Sequence, residues 1–264
     1  MTKRRIQESR AIVTGASSGI GRQIALELAR QGAVQVLTAR REERLRELAD
    51  QIGMFGSRAE IVVGDITEPT ARQEVIQTAV SQLGGLDVLV NNAGIGAVGL
   101  FEDASAERVR RIMEVNFFAL VEMTRVALPA LKEGKNPIVV NIGSVLGHRG
   151  VPYRSDYCAS KFAVQGFSEA IRAEFGAHGI DVLVVSPGAT QSEFAERVIE
   201  HTGEPDWPDI GRVSAAGVAR QTVRAIRCGR HEITPNRRGK LLCWLNRISP
   251  GLVDRLTARY VEPA

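Results

Sequence analysis

Residues 10–21 read Arg-Ala-Ile-Val-Thr-Gly-Ala-Ser-Ser-Gly-Ile-Gly, a short apolar run followed by three closely spaced glycines. Gly15 would allow a sharp turn, Gly19 would let the backbone approach a pyrophosphate, and Gly21 would permit close packing of a helix on a strand. Backbone N–H groups and a helix dipole favour phosphate at such a turn. The glycine spacing differs from the commoner Gly-x-Gly-x-x-Gly, so this loop predicts a dinucleotide site only together with the rest of the chain.

The rest of the chain alternates short apolar runs with longer helical patterns. Candidate strands occupy residues 10–14, 34–38, 60–63, 86–91, 137–142, 180–186 and 231–234, and candidate helices occupy residues 19–31, 41–52, 69–83, 105–130, 155–178 and 214–229. Continuous Val/Ile/Leu runs are typical of parallel strands that helices cover on both faces. The alternation runs from end to end without a Pro/Ser-rich linker. It therefore predicts a single α/β domain over residues 1–264, built on a doubly wound parallel sheet.

Two segments depart from this alternation. Residues 190–213 follow the strand that ends at Ser186, and they contain Phe194 and Trp207. A long connection at the C-terminal edge of such a sheet lies where ligands bind, so we predict that this segment is a substrate lid. Residues 236–264 form a basic and apolar C-terminal extension. This extension is predicted to cover the pocket, to form a subunit seam or to lie on an anionic membrane surface.

The composition is globular, with a basic C-terminal region. The chain has 264 residues and a net charge of +4, and residues 220–259 carry ten Lys/Arg against Glu232 and Asp254. Such a patch can face phosphate, lipid or nucleic acid, or be a solvated surface; no recognised motif supports a nucleic-acid partner. Three cysteines without ligand-like spacing and four scattered histidines predict no metal site and a reduced, cytoplasmic compartment. We find no apolar stretch of membrane-span length and no signal-peptide core.

The end of the second predicted strand indicates which dinucleotide is preferred. Residues 37–42 read Leu-Thr-Ala-Arg-Arg-Glu, so Ala39 stands where an acidic residue would bind a ribose 2′-hydroxyl. The neighbouring Arg40 has a planar guanidinium that can grip a 2′-phosphate with two hydrogen bonds and stack on adenine. Alternatively, Arg40 and Arg41 merely open a solvated helix. The local rule predicts NADP(H) over NAD(H).

A tyrosine and a lysine four residues apart, Tyr157 and Lys161, indicate proton-transfer chemistry, and Ser144 lies thirteen residues upstream. Positions i and i+4 of a helix share a face, so the phenol and the ammonium can point into one cleft. The ammonium is expected to lower the tyrosine pKa and so prepare the phenol to exchange a proton with a substrate oxygen. Asp156 is expected to point away from that face.

Together these motifs resemble those of the short-chain dehydrogenase/reductase family. The matching segments are Thr14–Gly21, Asp65, Asn91-Asn92-Ala93-Gly94, Asn116, Ser144, Tyr157 with Lys161, and Pro187-Gly188. The resemblance implies a Rossmann fold with about seven strands and a catalytic tetrad of Asn116, Ser144, Tyr157 and Lys161. Tyr157 would be the general acid/base and Ser144 would bind the substrate carbonyl. Lys161 would hold the nicotinamide ribose, and Asn116 would kink its helix and hold a water of the proton relay.

The resemblance also implies a set of cofactor contacts. These are Gly15, Ser17, Ser18, Gly19, Ile20, Gly21, Arg40, Asp65, Ile66, Asn92, Ala93, Gly94, Tyr157, Lys161, Pro187, Gly188, Thr190 and Ser192. The family often has threonine at the position of Ser192, and the hydroxyl is retained here.

The implied activity is NADP(H)-dependent interconversion of a carbonyl and a secondary alcohol. Apolar residues near the predicted pocket favour a bulky or lipid-like ketone or alcohol, unless they are ordinary core and lid packing: Val145, Leu146, Val151, Tyr153, Phe194 and Trp207. Helices 105–130 and 155–178 correspond to the family's usual dimer surface, so a homodimer or homotetramer is expected. The alternative function is a non-catalytic redox sensor or scaffold that binds NADP(H), because a fold does not dictate a function.

Overall fold

The structure is a computed structural model that describes residues 3–191, 193–194, 198–203 and 211–261. Its strands are β1 (Arg10–Thr14), β2 (Val34–Ala39), β3 (Ala59–Val63), β4 (Val88–Asn91), β5 (Gly96–Gly99), β6 (Ile138–Ile142), β7 (Asp181–Val185), β8 (Thr190–Gln191), β9 (Val198–Thr202), β10 (Val213–Ser214) and β11 (Glu232–Ile233). Its helices are α1 (Gly19–Arg30), α2 (Glu42–Gly53), α3 (Pro69–Thr78), α4 (Ala106–Met113), α5 (Ala119–Lys132), α6 (Ser155–Gly176), α7 (Ala215–Arg227), α8 (Arg237–Ile248) and α9 (Pro250–Ala258).

Seven strands form one parallel sheet in the order β11-β7-β6-β4-β1-β2-β3. The strand order reverses between β1 and β4, which creates the crevice where doubly wound sheets bind ligands. The predicted seven-stranded Rossmann fold is confirmed, and each of the seven predicted strands lies in this sheet.

Helices cover both faces of the sheet, as the continuous apolar strands predicted. One core lies between the sheet and helices α1, α2 and α7, with Ile24, Leu48 and Val223 fully buried. The other core lies between the sheet and helices α3, α5 and α6, where Met123 and Leu131 are fully buried. Each strand therefore has apolar partners on both sides, which sustains a parallel sheet.

Two predicted helices are interrupted by π turns. Residues 69–83 form α3 and then a π turn at Ala79–Leu83, and the 105–130 pattern divides into α4, a π turn at Glu114–Phe118 and α5. A π turn inserts one extra residue into the helical ladder, which a periodicity of 3.6 residues does not register. The second of these turns contains Asn116.

Short strands outside the main sheet anchor the connection after β7. Strand β8 pairs with β10, and β9 pairs with β5, both in parallel. The sequence pattern did not predict these four strands. Helices α8 and α9 form the C-terminal extension. Within the described part of the chain, no helix has the length and apolar character needed to cross a membrane.

Candidate active site

The glycine-rich loop between β1 and α1 is tied to the end of β4. The backbone N–H groups of Asn92 and Ala93 donate to Thr14 Oγ1 over 2.9 and 3.1 Å. The Asn92 amide Nδ2 donates to the carbonyl oxygens of Thr14 (3.0 Å) and Gly15 (3.2 Å). Asn92, predicted as a cofactor contact, thus braces the loop from behind in this structure. These bonds hold the loop at the crevice where the strand order reverses.

The glycines of this loop leave space that a side chain would fill. Gly15 and Gly19 have φ of +63° and +56°, a left-handed conformation that favours glycine. A Cβ atom on Gly21 would lie 2.7 Å from the Gly15 carbonyl oxygen and would overlap the Asn92 amide. The start of α1 is therefore bare backbone facing the crevice. Such a cradle fits the pyrophosphate of a dinucleotide.

The guanidinium that lies on this loop belongs to Arg41. Its Nη2 is 3.2 Å from Ser17 Oγ and 3.3 Å from the Ser17 carbonyl oxygen. Its Nη1 lies 3.4 Å from Glu193 Oε2, in the predicted lid. Arg40, the residue chosen from the sequence, is largely exposed and reaches Asp65 Oδ2 at 3.7 Å. Adjacent side chains leave the backbone in different directions, and the sequence alone did not show which one reaches the loop.

Asp65 follows β3 at the same edge of the sheet. Its Oδ1 accepts hydrogen bonds from the backbone N–H (3.0 Å) and the hydroxyl (2.8 Å) of Thr67. Arg111 Nη2 lies 3.6 Å from its other oxygen. Although burial raises it, these hydrogen bonds and the charges of Arg40 and Arg111 bring the pKa of Asp65 below its ordinary value. The carboxylate is therefore ionised and fixed beside the crevice.

Ser144, Tyr157 and Lys161 meet at the C-terminal end of β6. The Ser144 hydroxyl lies close enough to the Tyr157 phenol to lower the pKa of that phenol. Lys161 Nζ donates to the Ile142 carbonyl oxygen at 2.9 Å and lies 5.6 Å from the centroid of the Tyr157 ring. The turn after Ser144 packs tightly on α6, since a Cβ atom on Gly147 would lie 2.6 Å from the Lys161 carbonyl oxygen. A hydroxyl, a phenol and an ammonium thus converge.

Burial dominates the acid–base properties of this group. It raises the pKa of Tyr157 to about 12, while the hydrogen bond with Ser144 and the charge of Arg154 act in the opposite direction. Burial also lowers the pKa of Lys161 from 10.5 to about 8. The expectation that the pKa of Tyr157 lies below its ordinary value is wrong, because loss of solvation outweighs the stabilising contacts.

Asn116 is fully buried in the π turn between α4 and α5. Its Oδ1 accepts from the Ile95 N–H at 2.8 Å, and its Nδ2 donates to the Ile95 carbonyl oxygen and to Ser160 Oγ, both at 3.0 Å. Ser160 Oγ in turn donates to the Tyr157 carbonyl oxygen at 2.8 Å. The amide therefore links the segment after β4 to the backbone of the tyrosine helix.

The described part of the predicted lid contacts the same group. The ring centroids of Phe194 and Tyr157 lie 5.7 Å apart, and a Cβ atom on Gly96 would lie 3.0 Å from the Phe194 ring. Phe194 thus packs between the tyrosine and the segment that follows β4. Ser192 and Trp207, singled out in the sequence, lie outside the described residues.

The remaining predicted contacts lie along the same edge of the sheet. Ser18 and Ile66 are buried. The Pro187 carbonyl oxygen accepts from the Val145 N–H at 3.0 Å, which joins this segment to the turn after Ser144. Thr190 Oγ1 donates to the Gly188 carbonyl oxygen at 2.9 Å. Ile20 is the second residue of α1, directly after Gly19.

The C-terminal helices cover the outside of the turn that carries Ser144. Asn246 Nδ2 donates to the His148 carbonyl oxygen at 3.0 Å, and Asn246 Oδ1 accepts from Arg149 at 3.1 Å. A Cβ atom on Gly239 would lie 2.6 Å from the Val145 side chain. The opposite face of α8 and α9 presents an exposed apolar stripe formed by Leu241, Trp244, Ile248, Leu252 and Leu256.

Three residues near the site were not singled out from the sequence. Arg41 was named only beside Arg40 as part of a solvated helix start, Thr14 was given no role beyond opening the segment Thr14–Gly21, and Ser160 was not considered. A hydroxyl at the end of a strand that enters the crevice is a signal that would have drawn attention to Thr14. No pattern in the sequence connects Ser160 with Asn116, because the two are 44 positions apart.

Comparison with known proteins agrees with this geometry. The family described as short chain dehydrogenase matches residues 9–203. The chain belongs to the short-chain dehydrogenase/reductase family. It is 43% identical over 204 residues to "Hydroxysteroid 11-beta-dehydrogenase 1-like protein B" of Xenopus laevis, a match that covers 75% of this chain and 69% of that protein.

Solved structures show the same fold. A short chain dehydrogenase from Burkholderia cenocepacia J2315 in complex with NADP has a TM-score of 0.77 and 29% identity, with 88% of this chain and 97% of that chain covered. A short-chain dehydrogenase/reductase from Burkholderia phymatum in complex with NAD has a TM-score of 0.85 and 24% identity, with 99% of each chain covered. This short-chain dehydrogenase/reductase is an oxidoreductase of the class that acts on CH–OH groups, and a nicotinamide dinucleotide is its cofactor.

Proposed function

We propose that this enzyme interconverts a ketone and a secondary alcohol of an apolar, lipid-like small molecule, with NADP(H) as cofactor and Tyr157 as general acid/base. The observation that carries the proposal is the convergence of the Ser144 hydroxyl, the Tyr157 phenol and the buried Lys161 ammonium, whose Nζ lies 5.6 Å from the centroid of the Tyr157 ring. These groups lie next to a glycine cradle that fits a pyrophosphate. A nucleotide-binding scaffold without catalysis would have no chemical need for a buried ammonium there, because its burial is costly.

When bound, the nicotinamide supplies a hydride to the carbonyl carbon or accepts one from the alcohol. In the reductive direction, the Ser144 and Tyr157 hydroxyls donate hydrogen bonds to the carbonyl oxygen. Because the pKa of Tyr157 is raised to about 12, the phenol carries its proton at neutral pH. It gives that proton to the oxygen as negative charge develops there. The Lys161 ammonium then stabilises the phenolate until it is reprotonated.

The experiment is a comparison of wild type with Tyr157→Phe, following NADPH consumption with a panel of carbonyl compounds from small aldehydes to steroid ketones. We expect the substitution to lower turnover by at least about a hundredfold, because it removes the proton donor. NADPH affinity should change little. Tyr260→Phe, at the far end of the C-terminal extension, serves as the matched control. Full turnover by Tyr157→Phe would exclude the proposed role.

The preference for NADP(H) is supported by Arg41 and Ser17. The Arg41 guanidinium is 3.2 Å from Ser17 Oγ, at the side of the cradle where β2 ends. Ala39 leaves no carboxylate at the end of β2 to repel a phosphate. A guanidinium and a hydroxyl directed at the same space form a suitable site for a 2′-phosphate. Glu193, which now lies 3.4 Å from Arg41, would have to give way to it.

Replacement of Arg41 tests this preference. We expect Arg41→Ala to weaken NADPH binding by at least about tenfold, the value of one charge-assisted hydrogen bond, and to leave NADH binding unchanged. Arg46→Ala, on the exposed side of α2, is the control. If wild type prefers NADH, or if Arg41→Ala weakens both cofactors equally, the assignment of the 2′-phosphate site is wrong.

An apolar substrate is supported by the surroundings of Tyr157. The buried Val145 directly follows Ser144, and the Phe194 ring packs against the Tyr157 ring. The similarity to a hydroxysteroid dehydrogenase-like protein favours the same class of compound. In the carbonyl panel we expect kcat/KM to rise from small polar aldehydes to bulky apolar ketones, because each buried methylene contributes about 0.8 kcal/mol.

Self-association is supported by aromatic residues of α6 and of the π turn that precedes α5. Phe118 and Phe162 are 48% and 45% exposed. Phe117 is half-buried, and its ring centroid lies 5.3 Å from that of Phe118 and 6.1 Å from that of Phe167. Exposed large aromatics on adjacent helices mark a surface that another subunit can cover. We therefore propose a homo-oligomer that uses this face.

A further inference from the structure

A buried ion pair lies behind the catalytic tyrosine. Arg108 of α4 and Asp156 of α6 each have only 1% of the side chain exposed, and Arg108 Nε is 2.7 Å from Asp156 Oδ2. The other carboxylate oxygen of Asp156 accepts a hydrogen bond of 2.6 Å from the backbone N–H of Tyr157. The Asp156 carboxylate therefore connects the Arg108 guanidinium to the backbone of Tyr157. The expectation that Asp156 faces away from the cleft is compatible with this contact.

The same guanidinium also holds the lid. Its Nη1 lies 3.2 Å from Glu200 Oε1, in the middle of β9. Strand β9 pairs with β5, whose Gly99 N–H donates to the Tyr153 carbonyl oxygen at 2.9 Å. Tyr153 has a φ of +63°, a strained conformation for a tyrosine, just before α6 begins. Strand β9 is therefore joined to the start of α6 in two ways. One is the ion-pair chain from Glu200 through Arg108 to Asp156. The other is the pairing of β9 with β5 and the hydrogen bond from Gly99 to Tyr153.

A purely structural role accounts poorly for Arg108. Its Nη2 is buried without a hydrogen-bond partner among the described residues. An unsatisfied buried donor is unfavourable, and apolar residues of similar volume often replace a buried ion pair without loss of stability. Asp156 also interacts favourably with the helix dipole, because it lies in the first turn of α6. These buried contacts are explained if the Arg108 guanidinium couples the position of β9 to the position of α6.

We propose that Arg108 is a positioning residue that couples the lid strand β9 to the catalytic helix α6. Contact with Glu200 orients the guanidinium, the guanidinium fixes Asp156, and Asp156 holds the Tyr157 N–H. The position of β9 thereby sets the phenol in place for proton transfer. The proposal rests on the proposed role of Tyr157 as the proton donor.

The test is a double-mutant cycle between the two carboxylates, Glu200→Gln and Asp156→Asn, in the cofactor-loaded enzyme. The carbonyl compound with the highest turnover in the panel described above is the substrate. Asparagine keeps the acceptor for the Tyr157 N–H but removes the charge that binds Arg108. Glu107→Gln, an exposed acid in the first turn of α4, is the control. The readouts are kcat, KM, NADPH affinity and the midpoint of thermal unfolding.

We expect each single variant to lower kcat by about tenfold, because a small displacement of a catalytic group is enough for such a loss. The double variant should also lose about tenfold instead of a hundredfold, since both changes break one chain of contacts. NADPH affinity should stay the same in all of them. Effects on kcat that multiply to about a hundredfold, or a change in thermal midpoint without a change in kcat, would overturn the coupling.

Two further measurements keep the test decisive. If Asp156→Asn does not fold, Arg108→Lys takes its place, because a single ammonium cannot reach both carboxylates. Adding Glu200→Gln to Arg108→Lys should then change kcat no further. A further tenfold loss of kcat would overturn the proposal. Tyr157→Phe is measured in parallel. If that variant is fully active, the proposed function fails. If Tyr157→Phe is inactive while the losses of kcat in the two carboxylate variants multiply in the double variant, only the coupling through Arg108 fails.

Discussion

Replacement of Lys161 by methionine should make the protein more stable at neutral pH while it removes activity. The folded protein lowers the pKa of this ammonium from 10.5 to about 8 because the group is buried. Each tenfold change in proton affinity is worth about 1.4 kcal/mol, so holding the charge in the folded state costs about 3 kcal/mol at pH 7. Methionine cannot make the hydrogen bond that Lys161 donates to the Ile142 carbonyl oxygen, and the loss of this bond reduces the gain in stability by about 1 kcal/mol. The expected net gain for Lys161→Met is therefore about 2 kcal/mol in the free energy of unfolding.

The pH dependence distinguishes this explanation from a simple gain in packing. Between the folded pKa of about 8 and the unfolded pKa of 10.5, the unfolded chain binds more protons at this site than the folded one. The penalty is thus complete below pH 8 and disappears as the pH rises through this window. The advantage of Lys161→Met over wild type should fall from about 2 kcal/mol at pH 7 to less than about 1 kcal/mol at pH 9.5.

The assay is urea unfolding followed by circular dichroism at pH 7 and at pH 9.5, for wild type, Lys161→Met and Lys132→Met. Lys132 is an exposed lysine in the last turn of α5, so its replacement should change the free energy of unfolding little at either pH. A Lys161→Met variant that is less stable than wild type at pH 7 would refute the reasoning. An advantage of the same size at both pH values would refute it equally.

Two other predictions concern the cofactor cradle and the subunit surface. Gly21→Ala should weaken NADPH binding by more than about tenfold, measured by fluorescence titration, because the new methyl overlaps the Asn92 amide; Gly251→Ala, where nothing lies within 4 Å, should not. Phe118→Asp should lower the mass measured by light scattering to that of a monomer, since a charge on a buried apolar face is unfavourable; an unchanged mass would place the subunit contact elsewhere.

The sequence by itself determined the fold and predicted most residues of the candidate site, because both depend on local patterns. Val/Ile runs of strand length and helices of matching period placed the seven strands and the helices on both sheet faces. The glycine loop ending at Gly21 and the i, i+4 spacing of Tyr157 and Lys161 are local as well. Each of these signals lies within a single strand, turn or helix. They could therefore be interpreted without knowledge of the rest of the chain.

Tertiary structure decided the features that depend on distant contacts or on solvent access. Whether Arg40 or Arg41 reaches the loop depends on side-chain directions, and the pKa of Tyr157 depends on burial by residues far along the chain. Arg108 and Asp156 are 48 positions apart, and no local period relates them. Strand β9 exists because it pairs with β5, about a hundred residues earlier. Such contacts arise only when the packed elements bring distant segments together, so no local pattern records them.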